Sequence, residues 1–524
     1  MNAVWAVLVS AALYSAAFPP FGIDWLLWVA LVPLLGALGR LGAGQAVLLG
    51  GGFGFSIAVF IVSWIGPTLV GYYERPLLFA GGLLALLWLT MGAPYYAAAL
   101  GALAFVRPHL GRTAWLLLVP TAWVAAEWTR SELGLRAAWA LGGDAFHGWP
   151  RLRQVADVTG VYGVTFVVVL GNVALCEGLR AARGRAVSRS FLVVAAAFGV
   201  LLCGVLGYGE MRLRQFTPRD DAPGLDVLMV QGNVEPSLRW QRTGAARTLR
   251  RYGSLTRDAL YAAPPPDLIL WPENAVQTGI EDPTYGPPLW ELVRRFDVPL
   301  LLGAPRSERS KDGVFHYNSA FLLSPGAAPD HYDKRHLMPF GESNPFGELF
   351  DTGQRGDLDT GRWRPGERPG VMAVGGHLLG VFICLEGLYP ETARDAVASG
   401  AAMLVNLSND GWFQGRGGPE QHFGQVVFRA IEVRRPLLRV TTTGVSGLVA
   451  ADGTVSHSLG FGERGALRAT VHPITDGVTF YARFGNLFAG ACTAALTMAV
   501  ALATLRRQQL RRTGSRAQTR HPSR

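Results

Sequence analysis

Long apolar segments constrain the fold of this chain more than any other feature of its sequence. A helix needs roughly 20 apolar residues to cross the hydrocarbon core of a bilayer. Seven such segments precede residue 210 and an eighth lies near the C-terminus, at about 3–19, 24–41, 46–69, 77–106, 114–129, 160–179, 190–209 and 483–505. The first lacks the basic start of a signal peptide, and the second follows it almost at once. The sequence therefore predicts a membrane bundle of eight helices.

A segment of ordinary soluble composition separates the seventh apolar segment from the eighth. Only 16% of the whole chain is charged, but Asp, Glu, Arg and Pro occur between about 215 and 475 at the density of a water-soluble domain. Strand-like runs alternate there with segments of helical spacing, namely LDVLMVQG, DLILWPE, VPLLLGA, NSAFLLS, LLGVFICLE, AAMLVNLS and LLRVTTTG, and 244–262, 287–296, 390–399 and 419–434. Such alternation is typical of a layered α/β domain.

These patterns divide the chain into four parts. We expect an N-terminal transmembrane domain with seven helices over 1–212 and a water-facing domain over 213–478. A C-terminal transmembrane helix over 479–506 and a basic cytoplasmic tail over 507–524 follow. The α/β domain is thus inserted before the last helix of the bundle.

The distribution of arginine predicts the orientation of the bundle. Lys and Arg are retained on the cytoplasmic side of a membrane, and the most basic parts are the loop at 180–189 and the tail from Arg506 onward. An eight-span arrangement puts both inside, so the segment at 215–475 faces the periplasm or an equivalent outer space. One basic loop then lies on the outer side, against the rule, and it contains Arg130, Arg136, Arg151 and Arg153.

Charge and cysteine content argue against two other kinds of partner. The net charge of +10 would suit nucleic acid, but no basic stripe is interleaved with aromatic residues, and much of the excess lies in the tail. Of the four cysteines, only Cys384 lies in the polar segment, and no zinc-ligand spacing is present. We therefore expect neither nucleic-acid binding nor a metal or other cofactor.

Cys384 follows the strand-like run LLGVFIC and precedes the helix-like stretch PETARDAVASG. A strand-to-helix junction raises a nucleophile above the sheet edge and directs backbone N–H groups toward a developing oxyanion. A free thiol has a pKa of about 8.5, so a nearby base or cation has to generate the thiolate. Taken alone, this context also fits a buried structural cysteine.

Two charged residues follow other strand-like runs of the same segment. Glu273, in LILWPENA, is flanked by Trp and Pro, where partial burial would suit a carboxylate to accept and return a proton. Lys334, in HYDKRHLMPFGE, carries an ammonium group suited to stabilise an oxyanion, and Glu342 is near enough in sequence to orient it. Each residue alone also fits a surface charge. A carboxylate, an amine and a thiol near strand ends of one α/β segment together favour an acyl-transfer site built on Glu273, Lys334 and Cys384.

Three motifs give the chain a resemblance to a known family. WPENA, KRHLMPFGE and FICLE resemble the glutamate, lysine and nucleophile motifs of the nitrilase superfamily. With its apolar segments, the whole chain resembles the bacterial apolipoprotein N-acyltransferase family. The resemblance implies a nitrilase-like α-β-β-α sandwich at 213–478 and makes Glu273 the general base, Lys334 the oxyanion stabiliser and Cys384 the nucleophile. It implies supporting roles for Glu342 and Glu386.

Further matches extend the resemblance to the rim of the site. VQGNVEPSLRW at 230–240 and NLSNDGWF at 406–413 are similar to family motifs. They imply that Trp240 lies near the mouth of the active site and that Asn409 and Trp412 lie near the nucleophile. Packing and turn formation are equally good readings of these three residues.

The family implies a two-step acyl transfer in lipoprotein maturation. The acyl donor is a membrane phospholipid, the intermediate is a cysteine thioester, and the acceptor is the N-terminal amine of the diacylglyceryl-cysteine of an apolipoprotein. The implied location is the bacterial inner membrane, with the catalytic domain on its periplasmic face. No cofactor is implied.

Two other functions remain open from the sequence. A membrane-tethered nitrilase-type amidase would use the same thioester with water as acceptor, and a transporter or receptor would use its outer domain only for binding. Several departures from the family pattern bear on acyl-chain preference: Leu385 replaces a usual tyrosine, Ser343 and Asn344 replace Tyr-Val, and Thr443 replaces a common asparagine.

Overall fold

A computed structural model of the chain describes residues 2–72, 76–184, 187–216, 224–235, 238, 243–311, 313–339, 341–343, 363–413, 415 and 417–518. Its first part is helical. The helices are α1 (Ala3–Ala16), α2 (Val32–Leu38), α3 (Ala43–Ile61), α4 (Ile65–Pro67), α5 (Leu77–Met91), α6 (Ala93–Val106), α7 (Arg112–Glu132), α8 (Pro150–Arg153), α9 (Ala156–Thr159), α10 (Val161–Ala182) and α11 (Arg189–Gln215).

Helices lie over all the predicted membrane segments. Within the described ranges, five are long and apolar enough to cross a bilayer: Ala43–Ile61, Leu77–His109, Val161–Ala182, Arg189–Gln215 and Leu487–Arg511. Ala3–Ala16 and Asp24–Leu38 are apolar but shorter. Helix α7 has the length of a span but contains charged residues, Glu127 and Arg130 among them. The sequence-based count of eight spans therefore stays a prediction.

The predicted segment at 77–106 is divided at Gly92 into α5 and α6. A Cβ atom at Gly92 would lie 2.2 Å from the carbonyl oxygen of Gly54, and one at Gly54 would lie 2.5 Å from the backbone of Gly92. Glycine at both positions therefore lets α3 pack directly against the start of α6, as small residues do between helices in membranes.

The second part is an α/β domain with two six-stranded sheets. The first has the order β12-β1-β2-β3-β4-β5 and the second β11-β10-β9-β8-β7-β6. Their bounds are β1 Leu225–Gln231, β2 Leu268–Leu270, β3 Leu300–Ser310, β4 Gly313–Leu323, β5 Asp330–Asp333, β6 Val371–Val374, β7 His377–Ile383, β8 Met403–Ser408, β9 Leu437–Thr441, β10 Ser446–Val449, β11 Val455–Leu459 and β12 Gly465–Val471. The central strands β1–β2–β3 and β7–β8–β9 are parallel, and the outer ones pair antiparallel.

Alternating side chains on the central strands bury both faces of each sheet. In β1, Val227 and Met229 belong to the core between the two sheets, whereas Leu228 and Val230 pack outward. The outward face contacts α12 (Gly244–Ala262) and α13 (Gly286–Phe296). The second sheet is covered by α14 (Pro390–Ala398) and α15 (Gly418–Val433). The domain is therefore an α-β-β-α sandwich, as predicted from the family resemblance.

The sandwich is docked on the helical part through α14 and α15, which share one continuous core with the membrane helices. Helices α16 (Phe480–Phe484) and α17 (Leu487–Gln518) then lead the chain back into the bundle. The loop after α7 joins the two parts: Trp139 Nε1 donates to Gln421 Oε1 at 2.5 Å. Nearby, Arg434 of the sandwich forms an ion pair with Asp157 at 2.7 Å.

The four arginines that opposed the predicted orientation are all engaged within the protein. Arg130 donates to the carbonyls of Trp139 and Ala140, and Arg153 donates to those of His147 and Asp452. Arg136 is paired with Glu391, and Arg151 with Glu210. Because these arginines are bonded within the protein, they are weaker evidence about which side of the membrane the loop faces than unbonded loop arginines would be.

Candidate active site

Three candidate residues follow three different strands. Glu273 comes after β2, Lys334 directly after β5 and Cys384 directly after β7. Relative exposures are 4% for Glu273, 1% for Lys334 and 2% for Cys384. A carboxylate and an amine are rarely buried to this degree unless they are paired.

Lys334 is paired with two carboxylates. Its Nζ lies 3.4 Å from Glu273 Oε1 and 2.9 Å from Glu342 Oε2. Burial alone would lower the pKa of Lys334, but the charges of Glu342 and Glu273 outweigh it and hold that pKa well above its usual value. Burial would likewise raise the pKa of Glu342, but Lys334 keeps it below its usual range. The ammonium group is therefore a fixed positive charge.

Asn318, in β4, links the same two carboxylates. Its Nδ2 donates to Glu273 Oε1 at 2.7 Å and to Glu342 Oε1 at 2.5 Å. The backbone N–H of Asn409 donates to Glu273 Oε2 at 2.8 Å, which leaves Glu273 held from both sides. Sequence reasoning missed Asn318, although an asparagine within an apolar strand such as NSAFLLS was a usable signal.

Cys384 occupies a strained position at the start of a 3₁₀ turn, Cys384–Leu388. Its φ is +54°, in the left-handed region that residues other than glycine seldom adopt. Burial raises the pKa of the Cys384 thiol well above its usual value, the charge of Glu273 adds to this effect, and Lys334 opposes it. The resting thiol is therefore protonated, and a base has to remove its proton before attack.

Glu386 connects the cysteine turn to the loop of Lys334. Its carboxylate accepts hydrogen bonds from the backbone N–H groups of Ile383, Arg335 and His336 at 2.7–3.1 Å. The Tyr332 hydroxyl donates to it at 2.8 Å. Burial raises the pKa of Glu386 despite these donors. The residue thus fixes the relative position of two functional loops.

A second buried network supports the cysteine turn from behind. Asn406 donates to the carbonyl of Cys384 at 3.4 Å, and Asn406 Oδ1 accepts from Arg439. Arg439 also donates to Asp410 at 2.8 Å, and His422 Nδ1 lies 3.1 Å from Asp410. Burial would raise the pKa of Asp410, but the charges of Arg439 and His422 depress it. The sequence predicted no role for Asn406, His422 or Arg439.

The remaining predicted residues take different positions. Asn409 contributes its backbone to Glu273, and its side chain accepts from the N–H of Gly411 at 3.2 Å. Trp412 stacks on Phe413 at 4.1 Å, and its carbonyl accepts from Thr68 of the helical part at 2.7 Å. Trp240 and Asn344 lie outside the described residues.

An apolar cavity of about 160 Å³ lies between the sandwich and the membrane helices. Leu385, the residue after Cys384, forms part of its wall, and Met338 of the Lys334 loop forms another part. Trp64, Leu87 and Trp412 contribute to the remainder. The cavity therefore reaches the turn that follows Cys384 and is lined by residues that suit a hydrocarbon chain.

Within the described ranges, no group of three or more His, Cys, Asp or Glu side chains is arranged to hold a metal ion. The polar groups of the site are one thiol, one ammonium group and several carboxylates and amides. This set suits nucleophilic acyl chemistry in which side chains supply both the base and the oxyanion stabiliser.

Comparison with known proteins identifies the family. The profile of the apolipoprotein N-acyltransferase N-terminal domain matches residues 10–174, and that of carbon-nitrogen hydrolase matches residues 229–475. The apolipoprotein N-acyltransferase of Geobacter metallireducens is 33% identical over 505 residues, 95% of each chain. That of Methylococcus capsulatus is 32% identical over 496 residues, 93% of each chain. The chain belongs to the apolipoprotein N-acyltransferase family.

Membership of the apolipoprotein N-acyltransferase family confirms the resemblance found in the motifs and makes the chain an acyltransferase. A solved nitrilase-superfamily protein of Saccharomyces cerevisiae is similar over 49% of this chain and 93% of its own, with 18% identity and a TM-score of 0.38.

Proposed function

We propose that the chain transfers a fatty acyl group from a membrane phospholipid to the N-terminal amine of a diacylglyceryl apolipoprotein, with Cys384, Glu273 and Lys334 as catalytic residues. The single observation that carries the proposal is the buried Lys334–Glu273 pair, 3.4 Å apart, beside an apolar cavity lined by Met338 and by Leu385, the residue after Cys384. An acyl chain in that cavity would present its ester carbonyl to Cys384.

In the first step, Glu273 accepts the thiol proton and the Cys384 sulfur attacks the ester carbonyl. The oxyanion is stabilised by Lys334 and by backbone N–H groups at the start of the turn Cys384–Leu388. Glu273 then returns the proton to the departing glycerol oxygen, which leaves a lysophospholipid and a thioester on Cys384. Because the pKa of the Cys384 thiol is raised, little thiolate is present beforehand, and Glu273 removes the proton as the sulfur attacks.

In the second step, the amine of the acceptor attacks the thioester and loses a proton to Glu273. The tetrahedral intermediate collapses by breaking its C–S bond, and the proton passes from Glu273 to the sulfur. The products are the N-acylated lipoprotein and the free thiol. Glu342 and Asn318 act by holding Glu273 and Lys334 in place, and Glu386 acts by holding the cysteine turn against the Lys334 loop.

A groove on the helical part supports a lipid donor. It has a volume of about 1000 Å³, and its wall includes Leu48, Leu86 and Leu89, which are exposed on the outside of the bundle. This groove and the cavity beside Cys384 share Leu87 and Leu135. A phospholipid in the surrounding bilayer is thus offered a lateral route to the thiol.

The arrangement of basic residues supports a periplasmic catalytic domain in a bacterial inner membrane. Arg107 donates to the carbonyls of Leu38 and Leu41, and Arg506 to that of His109. These contacts gather the basic ends of α2, α6 and α17 at the end of the bundle opposite the sandwich. The positive-inside rule then assigns that end to the cytoplasm.

A transporter is the less favoured function. Glu127 is the acidic residue nearest the middle of α7, and it accepts hydrogen bonds from Tyr14, Thr165 and the N–H of Gly142 at 2.9–3.1 Å. These bonds give the buried carboxylate a structural role, whereas ion paths need groups that exchange partners with water.

The proposal is tested with the full chain in vesicles that contain a phospholipid labelled on its acyl chain. A hydroxylamine-sensitive acyl adduct on Cys384 is expected before acceptor is added, and a lipopeptide with a free N-terminal amine should then discharge it. Cys384→Ala should form no adduct, whereas Cys203→Ala, on α11, should behave as wild type. Transfer by Cys384→Ala would refute the mechanism, and a thioester discharged equally fast by water would identify an amidase.

A further inference from the structure

A separate cavity lies at the end of the bundle opposite the sandwich. It has a volume of about 580 Å³ and lies between α1, α2 and α10. Val32 and Leu179 form part of an apolar wall, and Arg40, Arg180 and Arg183 also line the cavity. Acyl transfer makes no use of this cavity, which combines a cationic edge with a hydrocarbon-like interior.

Arg180 is held in place by the helices that form the cavity. It is paired with Glu177, and its guanidinium lies 3.4 Å from the carbonyl of Leu35, at the C-terminal end of α2. A Cβ atom at Gly39 would lie 2.9 Å from Arg180 Nη2, so glycine at this position lets the guanidinium lie across the end of the helix. Little entropy would be lost when this cation receives a ligand.

The other two cations of the cavity are Arg40 and Arg183. Among the described residues, no carboxylate forms an ion pair with either of them, and both are exposed. The Glu177 carboxylate is shared, because it also pairs with Arg112 at 2.5 Å. The cavity therefore carries an excess of positive charge that an anionic ligand would neutralise.

The position of α1 indicates the depth of this cavity in a membrane. Ala3 lines the cavity, and the neighbouring Val4 and Trp5 are each 61% exposed on the outside of the bundle. Tryptophan prefers the interface between hydrocarbon and water. The arginine edge thus lies at the level of lipid headgroups, and the apolar wall lies at the level of the first methylene groups.

We infer that this cavity binds an anionic phospholipid, with its phosphate on Arg40, Arg180 and Arg183 and the start of an acyl chain along α2 and α10. Basic pockets between helices on the cytoplasmic side recognise lipids in this way, because guanidinium groups match phosphate oxygens in charge and geometry. The inference does not depend on the acyl-transfer mechanism, since none of these residues contacts the catalytic site.

The test measures lipid binding to the full chain by native mass spectrometry. A Cys384→Ala background prevents turnover, and the probes are phosphatidylglycerol, zwitterionic phosphatidylethanolamine and soluble glycerol phosphate. Each arginine near a phosphate contributes about a fivefold effect, so R40Q/R183Q should weaken phosphatidylglycerol binding roughly 25-fold. The matched pair R189Q/R511Q removes the same charge at the same end of the bundle but lies outside the cavity, and it should change binding less than about twofold.

Three results would overturn the inference. Equal weakening by both pairs would indicate general surface charge, and equal affinity for phosphatidylethanolamine would remove the requirement for an anion. Displacement of the lipid by glycerol phosphate at a similar concentration would indicate a site for free phosphate. Folding of both pairs is checked by acyl transfer in versions that retain Cys384, which should proceed at the wild-type rate in phosphatidylethanolamine vesicles.

Discussion

Replacement of Lys334 by methionine tests the electrostatic organisation of the active site. Lys334 Nζ lies 2.9 Å from Glu342 and 3.4 Å from Glu273; Lys334 and Glu273 are buried, and the Glu342 side chain is 16% exposed. At an effective dielectric constant of about 20, each contact is worth about 5 kcal/mol before desolvation is counted. Removal of one partner from a buried ion pair costs about 3–5 kcal/mol, because the remaining charge is left uncompensated.

The expected loss depends on pH, because Lys334→Met can relieve the repulsion by protonating one carboxylate. From an ordinary glutamate pKa of about 4.3, that protonation costs about 4 kcal/mol at pH 7.5 and about 1.6 kcal/mol at pH 5.5. In the wild type, the pKa of Glu342 is lowered, so its stabilisation is present above the ordinary pKa and is lost only as the pH falls through the lowered one. The difference between the two proteins should therefore fall from about 4 to about 2 kcal/mol between pH 7.5 and 5.5.

The assay is the thermal midpoint of the full chain in detergent, recorded at one scan rate by tryptophan fluorescence. For a domain of the size of the sandwich, about 250 residues, a loss of about 4 kcal/mol corresponds to a decrease of roughly 8 °C at pH 7.5, and about half that at pH 5.5. Lys311→Met is the matched control: Lys311 is the other lysine of the chain and is exposed at the β3–β4 turn, so its replacement should leave the midpoint unchanged. A decrease below about 3 °C, or an equal decrease at both pH values, would refute the proposed charge balance.

Three further predictions concern the base, the acyl cavity and the docking of the sandwich. Glu273→Gln should reduce acyl transfer about 10²–10⁴-fold, because it removes the base. It should also lower the pKa of the Cys384 thiol, because the charge of Glu273 raises that pKa. The rate of alkylation by iodoacetamide should then rise at a lower pH than in the wild type, and an unchanged pH profile would contradict this. Leu385→Trp should reduce kcat/KM about tenfold for C12 and C16 donors alike, since it narrows the cavity at the residue next to Cys384. Leu378→Trp, on the exposed side of β7, should keep the wild-type values for both donors, and a loss confined to the C16 donor would contradict this placement of Leu385. Arg434→Met should lower stability by about 2–3 kcal/mol, because it removes one of the two arginines that pair with the buried Asp157 and leaves Arg212 in place. Arg468→Met, which breaks a pair 31% exposed on each side, should cost less than about 1 kcal/mol, and similar thermal midpoints would refute the difference.

The strands that could be predicted from the sequence are those buried on both faces. The runs at β1, β2, β3, β7, β8 and β9, and the run NSAFLLS over the second half of β4, are nearly continuous in apolar residues, as in sheets covered on both sides. The edge strand β11 has the sequence VSHSL and is mostly exposed, so it has no apolar run to detect. β5 is equally polar, because only Tyr332 of its four residues points into the core. Antiparallel edge strands are therefore not detected by a search for apolar runs.

The same limit applies to the site. Glu273, Lys334 and Cys384 were predictable because each follows a strand and carries a motif. The polar side chain of Asn318 within an apolar strand was a signal, but neither its partner Glu273, 45 residues away, nor the partner of Arg439, Asp410, 29 residues away, could be identified from the sequence. The sequence does not distinguish a buried charged residue from an exposed one, and only the fold shows which residue pairs with it.

Leu385 shows how the fold gives meaning to a departure from the family pattern. The sequence marked it only as a leucine in place of a tyrosine. In the structure it lines the apolar cavity beside the nucleophile, where a hydroxyl group would need a hydrogen-bond partner. Tyr389 lines the same cavity, but its ring lies under the guanidinium of Arg136, 4.7 Å from the ring centre. The part of an acyl chain next to Cys384 would therefore meet hydrocarbon, and its selection would depend on shape rather than on hydrogen bonding.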